Sequence, residues 1–189
     1  AVIRVNSQSG KGGSAWLLEQ NHGLQLPRAL QQDFSQRVQQ QTDMNGGEMT
    51  HHALWQLFCH HYGLTQPARQ LDTAESQSDE RATRIRLQFT TASGGRMLNG
   101  SGNGLLSAAV SALQQHYGRA IAIEDYHEHT LGKRSDSRSV AYICCTDANG
   151  KRAWGVGIDS DVTRASLQAL LNAANAFLPA ESSPPVKRP

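Results

Sequence analysis

The first third of the chain carries apolar residues at helical spacing. Leu30, Phe34 and Val38 recur every four residues and form one apolar stripe on a segment that is otherwise rich in glutamine. Leu54 and Phe58 form a second stripe of the same kind. These patterns predict helices whose apolar faces need a surface that their own segment does not supply.

Turn and capping residues divide this region into three helices. Gly10 to Gly13 predict a loop, Gly23 is suited to end a helix over residues 14–22 in the left-handed conformation, and Thr50 is a candidate N-cap for the last helix. We therefore predict a mostly helical accessory subdomain over residues 1–63. Because its stripes lack a partner surface, we expect it to be loosely held.

The second half of the chain alternates apolar and polar positions instead. Ile85, Leu87 and Phe89 alternate with charged or amide residues, which is typical of a strand with one solvated face. A Gly-Gly hairpin signal and a return strand follow. The same order of strand, turn and strand recurs over residues 140–158, where the turn is Asn-Gly.

Each hairpin leads into a Gly-x-Gly sequence and then into a helix with one apolar face. The first copy of the glycine pair lies at residues 100–102 and the second at residues 155–157. Two such units are able to bury their helices against one sheet, about a pseudo-twofold axis. The predicted fold class is α+β: a small helical subdomain followed by a regulatory-type domain of two related repeats.

The polar stretches set the predicted boundaries. Residues 64–82 contain almost nothing to bury and predict a flexible linker. Residues 83–178 then form the regulatory domain, and the Pro-rich residues 179–189 predict a disordered tail.

Composition narrows the class of protein. A net charge of +2 over 189 residues is too mild to favour nucleic acid or an anionic membrane as the main partner. No apolar run approaches the length of a membrane span, and three cysteines do not make a disulfide framework. We expect a cytoplasmic chain, and the start at Ala1 rather than Met predicts a piece of a longer protein.

The glycine-rich segment at residues 100–104 is the main candidate binding motif. Such a loop before a helix lets backbone N–H groups approach a carboxylate at the positive end of the helix dipole. A tight turn with Asn103 as N-cap explains the same residues without a ligand. The related glycines at residues 155–157 favour a site between two equivalent loops.

Other chemistry has weaker support. His127 and His129 share one strand face beside Asp125 and Glu128, so a metal-dependent hydrolase is one alternative function. The adjacent cysteines 144–145 lie in a strand and point to opposite faces, which is a poor arrangement for a redox pair. No catalytic triad or nucleotide loop can be assembled.

Five segments of the chain resemble 2-isopropylmalate synthases. Residues 5–13 and 22–28 resemble the accessory segment that follows the catalytic barrel in that family, and residues 99–104, 125–129 and 154–158 resemble its leucine-sensing domain. The resemblance implies a regulatory domain of two βββα-like units that forms a homodimer and binds leucine as feedback inhibitor. It also implies that the condensation of acetyl-CoA with 2-oxoisovalerate, and the divalent metal it uses, belong to an N-terminal barrel outside this chain, so we expect the chain to be inactive alone.

The resemblance also implies the effector site. Its leucine contacts fall on ten positions: Gly102, Asn103, Gly104, Ser107, Tyr126, Thr130, Ser137, Ser139, Ile158 and Ser160. We expect backbone N–H groups to hold the carboxylate, Tyr126 or a carbonyl to take the ammonium, and Ile158 to line the side-chain pocket. Because some of these positions depart from the family pattern, an isoleucine sensor like that of citramalate synthases and a purely structural dimerisation module remain alternatives.

Overall fold

The computed structural model describes residues 4–6, 10–132 and 137–181 of the chain. None of the helices in these residues is long and apolar enough to cross a membrane. The elements in chain order are β1 (Arg4–Asn6), α1 (Gly10–His22), α2 (Arg28–Met44), β2 (Glu48–Thr50), α3 (His51–Tyr62), β3 (Gln70–Ser78), β4 (Thr83–Thr91), β5 (Gly94–Gly102), α4 (Leu105–Tyr117), β6 (Ala122–Leu131), β7 (Arg138–Thr146), β8 (Arg152–Asp159) and α5 (Val162–Ala174).

Two units of the same topology make up the second part of the chain. Their strands form two separate sheets, where the sequence pattern predicted one. Sheet 1 has the order β3-β4-β5 and sheet 2 the order β6-β7-β8, and every neighbouring pair is antiparallel. Repeat 1 is sheet 1 with α4, and repeat 2 is sheet 2 with α5. The predicted α+β class with two βββα repeats is confirmed.

Strand β3 corrects the predicted linker at residues 64–82. It pairs with β4 from Gln70 opposite Thr90 to Ser78 opposite Thr83, with one register shift between Leu71 and Thr73. It lies at the edge of sheet 1, and Leu71 is its only fully buried side chain. An edge strand that buries so little has the composition of a linker, which is why the sequence pattern concealed it.

Helices α4 and α5 lie directly on the strands of their own sheets. A Cβ atom built on Gly100 would lie 2.3 Å from the carbonyl oxygen of Ala108, and one on Gly157 would lie 2.1 Å from that of Ala165. Only glycine allows the helix backbone to come this close. The repeated Gly-x-Gly sequences therefore belong to strands β5 and β8 and set the helix–sheet distance in both repeats, where the sequence predicted a loop in the first.

The helical block, residues 10–62, packs on the outer face of sheet 2. Leu30, Phe34, Leu54 and Phe58 are fully buried, so the expectation of a loosely held subdomain is wrong. The surface that the sequence did not reveal consists of strand residues facing away from α5: Val140, Tyr142, Cys144, Trp154 and Val156. Helix α1 also begins at Gly10, where the glycine pattern predicted a loop.

A buried arginine joins the two repeats near the end of the chain. Arg69 is only 2% exposed. Its guanidinium donates hydrogen bonds to Tyr117 Oη, Asn175 Oδ1 and the carbonyl oxygen of Pro179. The same group lies over the Tyr117 ring. Glu181 accepts hydrogen bonds from Arg96 and Tyr117. Pro179 and Glu181 thus make specific contacts with the domain, where the sequence predicted a disordered tail. Residues 182–189 lie outside the described part.

Candidate functional site

A cleft of about 220 Å³ lies where the first turns of α4 and α5 meet strand β6. We call it the interhelix cleft. Its apolar wall comes from both helices and its polar wall from β6 and α5, and the lining residues are Leu105, Leu106, Tyr126, Glu128, Val162, Thr163 and Ser166. The two repeats therefore meet at a concave surface that both helices approach with their N-termini.

Helix α4 presents an N-terminus with no acidic cap. Its N-cap is Gly104, with extended backbone, and not Asn103 as the ligand-free interpretation of the sequence had it. The Ser107 hydroxyl accepts a hydrogen bond from the Gly104 N–H and donates one to the Gly104 carbonyl. The first N–H groups of a helix have no partner within it, so this end attracts an anion.

Helix α5 has an N-terminus that already carries an anion. The carboxylate of Asp161 accepts a hydrogen bond of 2.8 Å from the Thr163 N–H. Asp159, just before it, pairs with Arg164 and accepts from the Asp161 N–H. These contacts use the donor groups that a ligand carboxylate would need, so the two N-termini at the cleft are not equivalent.

Tyr126 is the central polar side chain of the cleft. Its hydroxyl lies 2.5 Å from a carboxylate oxygen of Glu128 and 2.8 Å from the Ser166 hydroxyl. Burial and the hydrogen bond to Glu128 raise the pKa of Tyr126 above its usual value, so the phenol stays protonated at neutral pH. Because an ionised carboxylate only accepts, the phenol donates to Glu128.

The residues predicted to contact leucine fall into two groups in the structure. Gly102, Gly104 and Ser107 surround the start of α4, with exposed Asn103 between the two glycines, and Tyr126 lies in the cleft beside that helix. The structure brings this first group together.

The second group lies further along the same face of sheet 2. Thr130 pairs with Ser139, and Ser139 pairs with Asp159 at the edge where α5 begins. Thr130 is four residues from Tyr126, about 13 Å along the strand, and side chains at even spacing share a face. Ser137 directly precedes β7, and Ser160 follows β8.

Ile158 is separate from both groups. It pairs with Val140 and packs against the core of the helical block, on the face of sheet 2 opposite to Tyr126. Within one chain it therefore does not line the interhelix cleft. Leu105, Leu106 and Val162 supply apolar surface there instead.

Sequence reasoning missed most of the cleft lining. Glu128 and Ser166 are distant in sequence, and both contact the Tyr126 hydroxyl only because β6 and α5 pack together. The internal repeat could have identified Leu105 and Val162, since each is the first residue of the helix that ends its repeat.

The histidine and cysteine candidates have other roles. His129 Nε2 accepts from the Gln25 N–H and lies 2.8 Å from Tyr142 Oη, which ties β6 to the helical block. Burial raises the pKa of both adjacent cysteine thiols to about 12, so they remain neutral. Nowhere in residues 4–6, 10–132 and 137–181 do three His, Cys, Asp or Glu side chains come together to hold a metal ion.

Comparison with known proteins gives the family. Residues 48–178 match the model of the LeuA allosteric (dimerisation) domain. Proteins named 2-isopropylmalate synthase are similar to 92–95% of this chain: those of Marinomonas sp. at 45% identity, Rhodospirillum rubrum at 44% and Mycobacterium leprae at 38%. The chain spans only 30–32% of the length of these relatives. With more than half of its residues inside the match, the chain belongs to the LeuA allosteric (dimerisation) domain family.

Proposed function

We propose that this chain is the effector-binding part of a 2-isopropylmalate synthase and that it binds leucine in the interhelix cleft. The observation that carries the proposal is the cleft itself. It joins an uncapped helix N-terminus, apolar side chains and a carboxylate within one small concavity. A zwitterion with a branched apolar side chain matches those three features.

The unequal helix ends decide how leucine lies in the cleft. Its carboxylate binds the first N–H groups of α4, because Asp161 already occupies the equivalent donors of α5 and would repel a second anion. Its isobutyl group then packs against Leu105, Leu106 and Val162. Gly104 and Ser107 keep the α4 end open and hold its shape.

The catalytic activity belongs to the same proposal. A parent protein like the relatives would condense acetyl-CoA with 2-oxoisovalerate with the help of a divalent metal, and leucine bound here would inhibit it. The described residues of this chain do not fit the metal, because they contain no suitable cluster of ligands. We therefore assign the metal and the chemistry to a portion of the parent protein that this chain does not span.

Thermal unfolding with leucine, isoleucine, valine or no ligand tests the proposal. A ligand at 100 times its dissociation constant adds about 2.7 kcal/mol to the free energy of unfolding, which is visible as a shift in Tm. A shift that is largest with leucine supports it. A larger shift with isoleucine favours the citramalate-synthase-like sensor, and no shift with any of them favours a structural dimerisation module.

A pair of matched variants locates the site. Val162→Glu places a carboxylate in the cleft, where the helix N-terminus tolerates it, and should abolish the leucine shift. Met97→Glu makes the same kind of change at an exposed apolar residue of sheet 1 and should leave the shift intact. Equal responses of the two variants would place leucine elsewhere.

Homodimerisation and a cytoplasmic location complete the proposal. The family description names dimerisation, and 2-isopropylmalate synthase is the name of the relatives. Sedimentation equilibrium of the chain with and without leucine measures homodimerisation. A monomer at all concentrations and ligand conditions would contradict it.

A further inference from the structure

Within the proposed leucine site, we propose that Glu128 is the residue that selects an amino acid over the corresponding carboxylic acid, by accepting the ligand's ammonium group. This inference rests on the proposed function but is separable from it, because the cleft could bind leucine mainly through its carboxylate and side chain.

Glu128 differs from the other acidic residues around the cleft in having a neutral partner. Each of the others is already engaged with a basic side chain or a helix end: Glu124 with Arg152, Asp125 with His127, Asp159 with Arg164 and Asp161 with the Thr163 N–H. Among the described residues Glu128 has no ion pair, and its carboxylate accepts only from the Tyr126 phenol. It is thus a negative charge without a counter-ion at the wall of a binding cleft.

The neighbouring hydroxyls hold this carboxylate in place. The Tyr126 hydroxyl also contacts Ser166, and the Ser166 hydroxyl lies 2.9 Å from the carbonyl oxygen of Val162 in the first turn of α5. Strand β6 is therefore connected through side chains to α5 at the cleft. A carboxylate has about four acceptor positions, so one bond from Tyr126 leaves room for an ammonium.

The position of Glu128 fits a zwitterion. The carboxylate lies on the β6 wall, whereas the positive end of the α4 dipole lies on the helix wall that Leu105 and Leu106 begin. Opposite charges on two walls of one cleft match the two charges of an amino acid. A ligand with the same carbon skeleton but without nitrogen would meet the α4 end and leave Glu128 without a partner.

The test compares leucine with 4-methylpentanoate, which has the same skeleton without the ammonium group, by titration calorimetry. Glu128→Gln keeps the size of the side chain and removes its charge. The loss of a hydrogen bond between charged groups should weaken leucine binding by about 10- to 100-fold. Binding of 4-methylpentanoate should stay the same or become tighter, since a repelling carboxylate is removed.

Glu124→Gln is the matched control, since it makes the identical change on the same strand at a glutamate paired with Arg152. It should leave both affinities unchanged, and Glu128→Asp, which retains the charge, should keep part of the preference for leucine. The Tm of each unliganded variant reports whether it is folded.

Three results would overturn the inference: wild-type leucine affinity in Glu128→Gln, an equal loss for both ligands, or an equal loss in the control. A wild-type chain that binds no branched-chain amino acid would overturn the proposed function as well, so the two failures are distinguishable.

Discussion

The two repeats share one topology but differ in what covers their sheets. Buried and exposed residues alternate along β4 in sheet 1, whose outer face is in solvent. Six consecutive residues are buried along β7 in sheet 2, because α5 covers one face and the helical block the other. The inward positions therefore specify the shared repeat, and the outward positions decide whether a sheet receives a second layer.

The helix ends show a similar difference. Helix α5 is capped by the carboxylate of Asp161, whereas α4 begins at Gly104 with no side-chain cap. A cap stabilises a helix but occupies its anion site. Helix α4, which has no side-chain cap, is the one whose N-terminus we propose as the carboxylate site.

Removing the side chain of Tyr142 should produce the largest effect. Tyr142 is fully buried between sheet 2 and the helical block, and Tyr142→Ala should cost about 3–5 kcal/mol in the free energy of unfolding. Arg86→Ala, at an outward position of β4, should change it by less than about 0.5 kcal/mol. Denaturant unfolding gives both values.

Hydrogen exchange shows where the Tyr142 effect acts. In the wild type, α2 and α3 should be protected as strongly as the strands, and Tyr142→Ala should speed exchange there first. Free exchange of α2 and α3 in the wild type would contradict the packing of the helical block on sheet 2.

Adding one methyl group at a helix–sheet contact should destabilise the fold nearly as much as Tyr142→Ala does. The effect should be similar in the two repeats. Gly100→Ala and Gly157→Ala force the strand away from backbone atoms of α4 and α5, at a cost of about 3 kcal/mol. Gly95→Ala on β5 has open space around the new atom and should be close to neutral. A mild effect at Gly157 alone would mean that the two repeats do not pack alike.

Removing the polar side chain at the start of each helix should give a smaller and unequal effect. Asp161→Ala removes the bond to the Thr163 N–H and should cost about 1 kcal/mol. Ser107→Ala removes contacts with the Gly104 backbone and should cost less, about 0.5 kcal/mol. Thermal unfolding at low salt measures both, and equal costs would contradict the difference between the two ends.

A pH dependence is predicted at Glu181, which contacts Arg96 and Tyr117 of repeat 1. Burial alone would raise the pKa of Glu181, but hydrogen bonds from Tyr117 and Arg96 outweigh it and hold that pKa below its usual value. A lowered carboxyl pKa contributes stability above the unfolded value, and that stability is lost as pH falls through the folded value. Glu181→Gln should therefore cost up to about 1 kcal/mol at pH 7 and little at pH 3. A destabilisation by Glu181→Gln that grows toward acid pH would contradict this predicted direction of the pH dependence.

Local patterns predicted most of the elements correctly. Thr50 does cap α3, through a bond to the Ala53 N–H, and Gly63 ends that helix in the left-handed conformation. The two hairpins also lie where alternation and turn residues placed them. These features depend on residues close together in sequence, so the sequence contains the full signal.

Features that depend on distant partners were not predictable in this way. β3 is polar because it lies at a sheet edge, and the helical block has a partner surface only once sheet 2 exists. Tyr126 contacts Ser166, 40 residues away, in a cleft that forms when the two repeats pack. Ile158 has the apolar side chain expected in the cleft, but it lies on the opposite face of its sheet.

The Arg69 contacts bear on where this domain can be cut. The family match ends at residue 178, but the carbonyl that Arg69 binds belongs to Pro179 and the acid that Arg96 binds is Glu181. A truncation at Leu178 would deprive the buried Arg69 guanidinium of an acceptor and leave the half-buried Arg96 without its carboxylate partner. An expression boundary or fusion junction for this domain therefore belongs after Glu181.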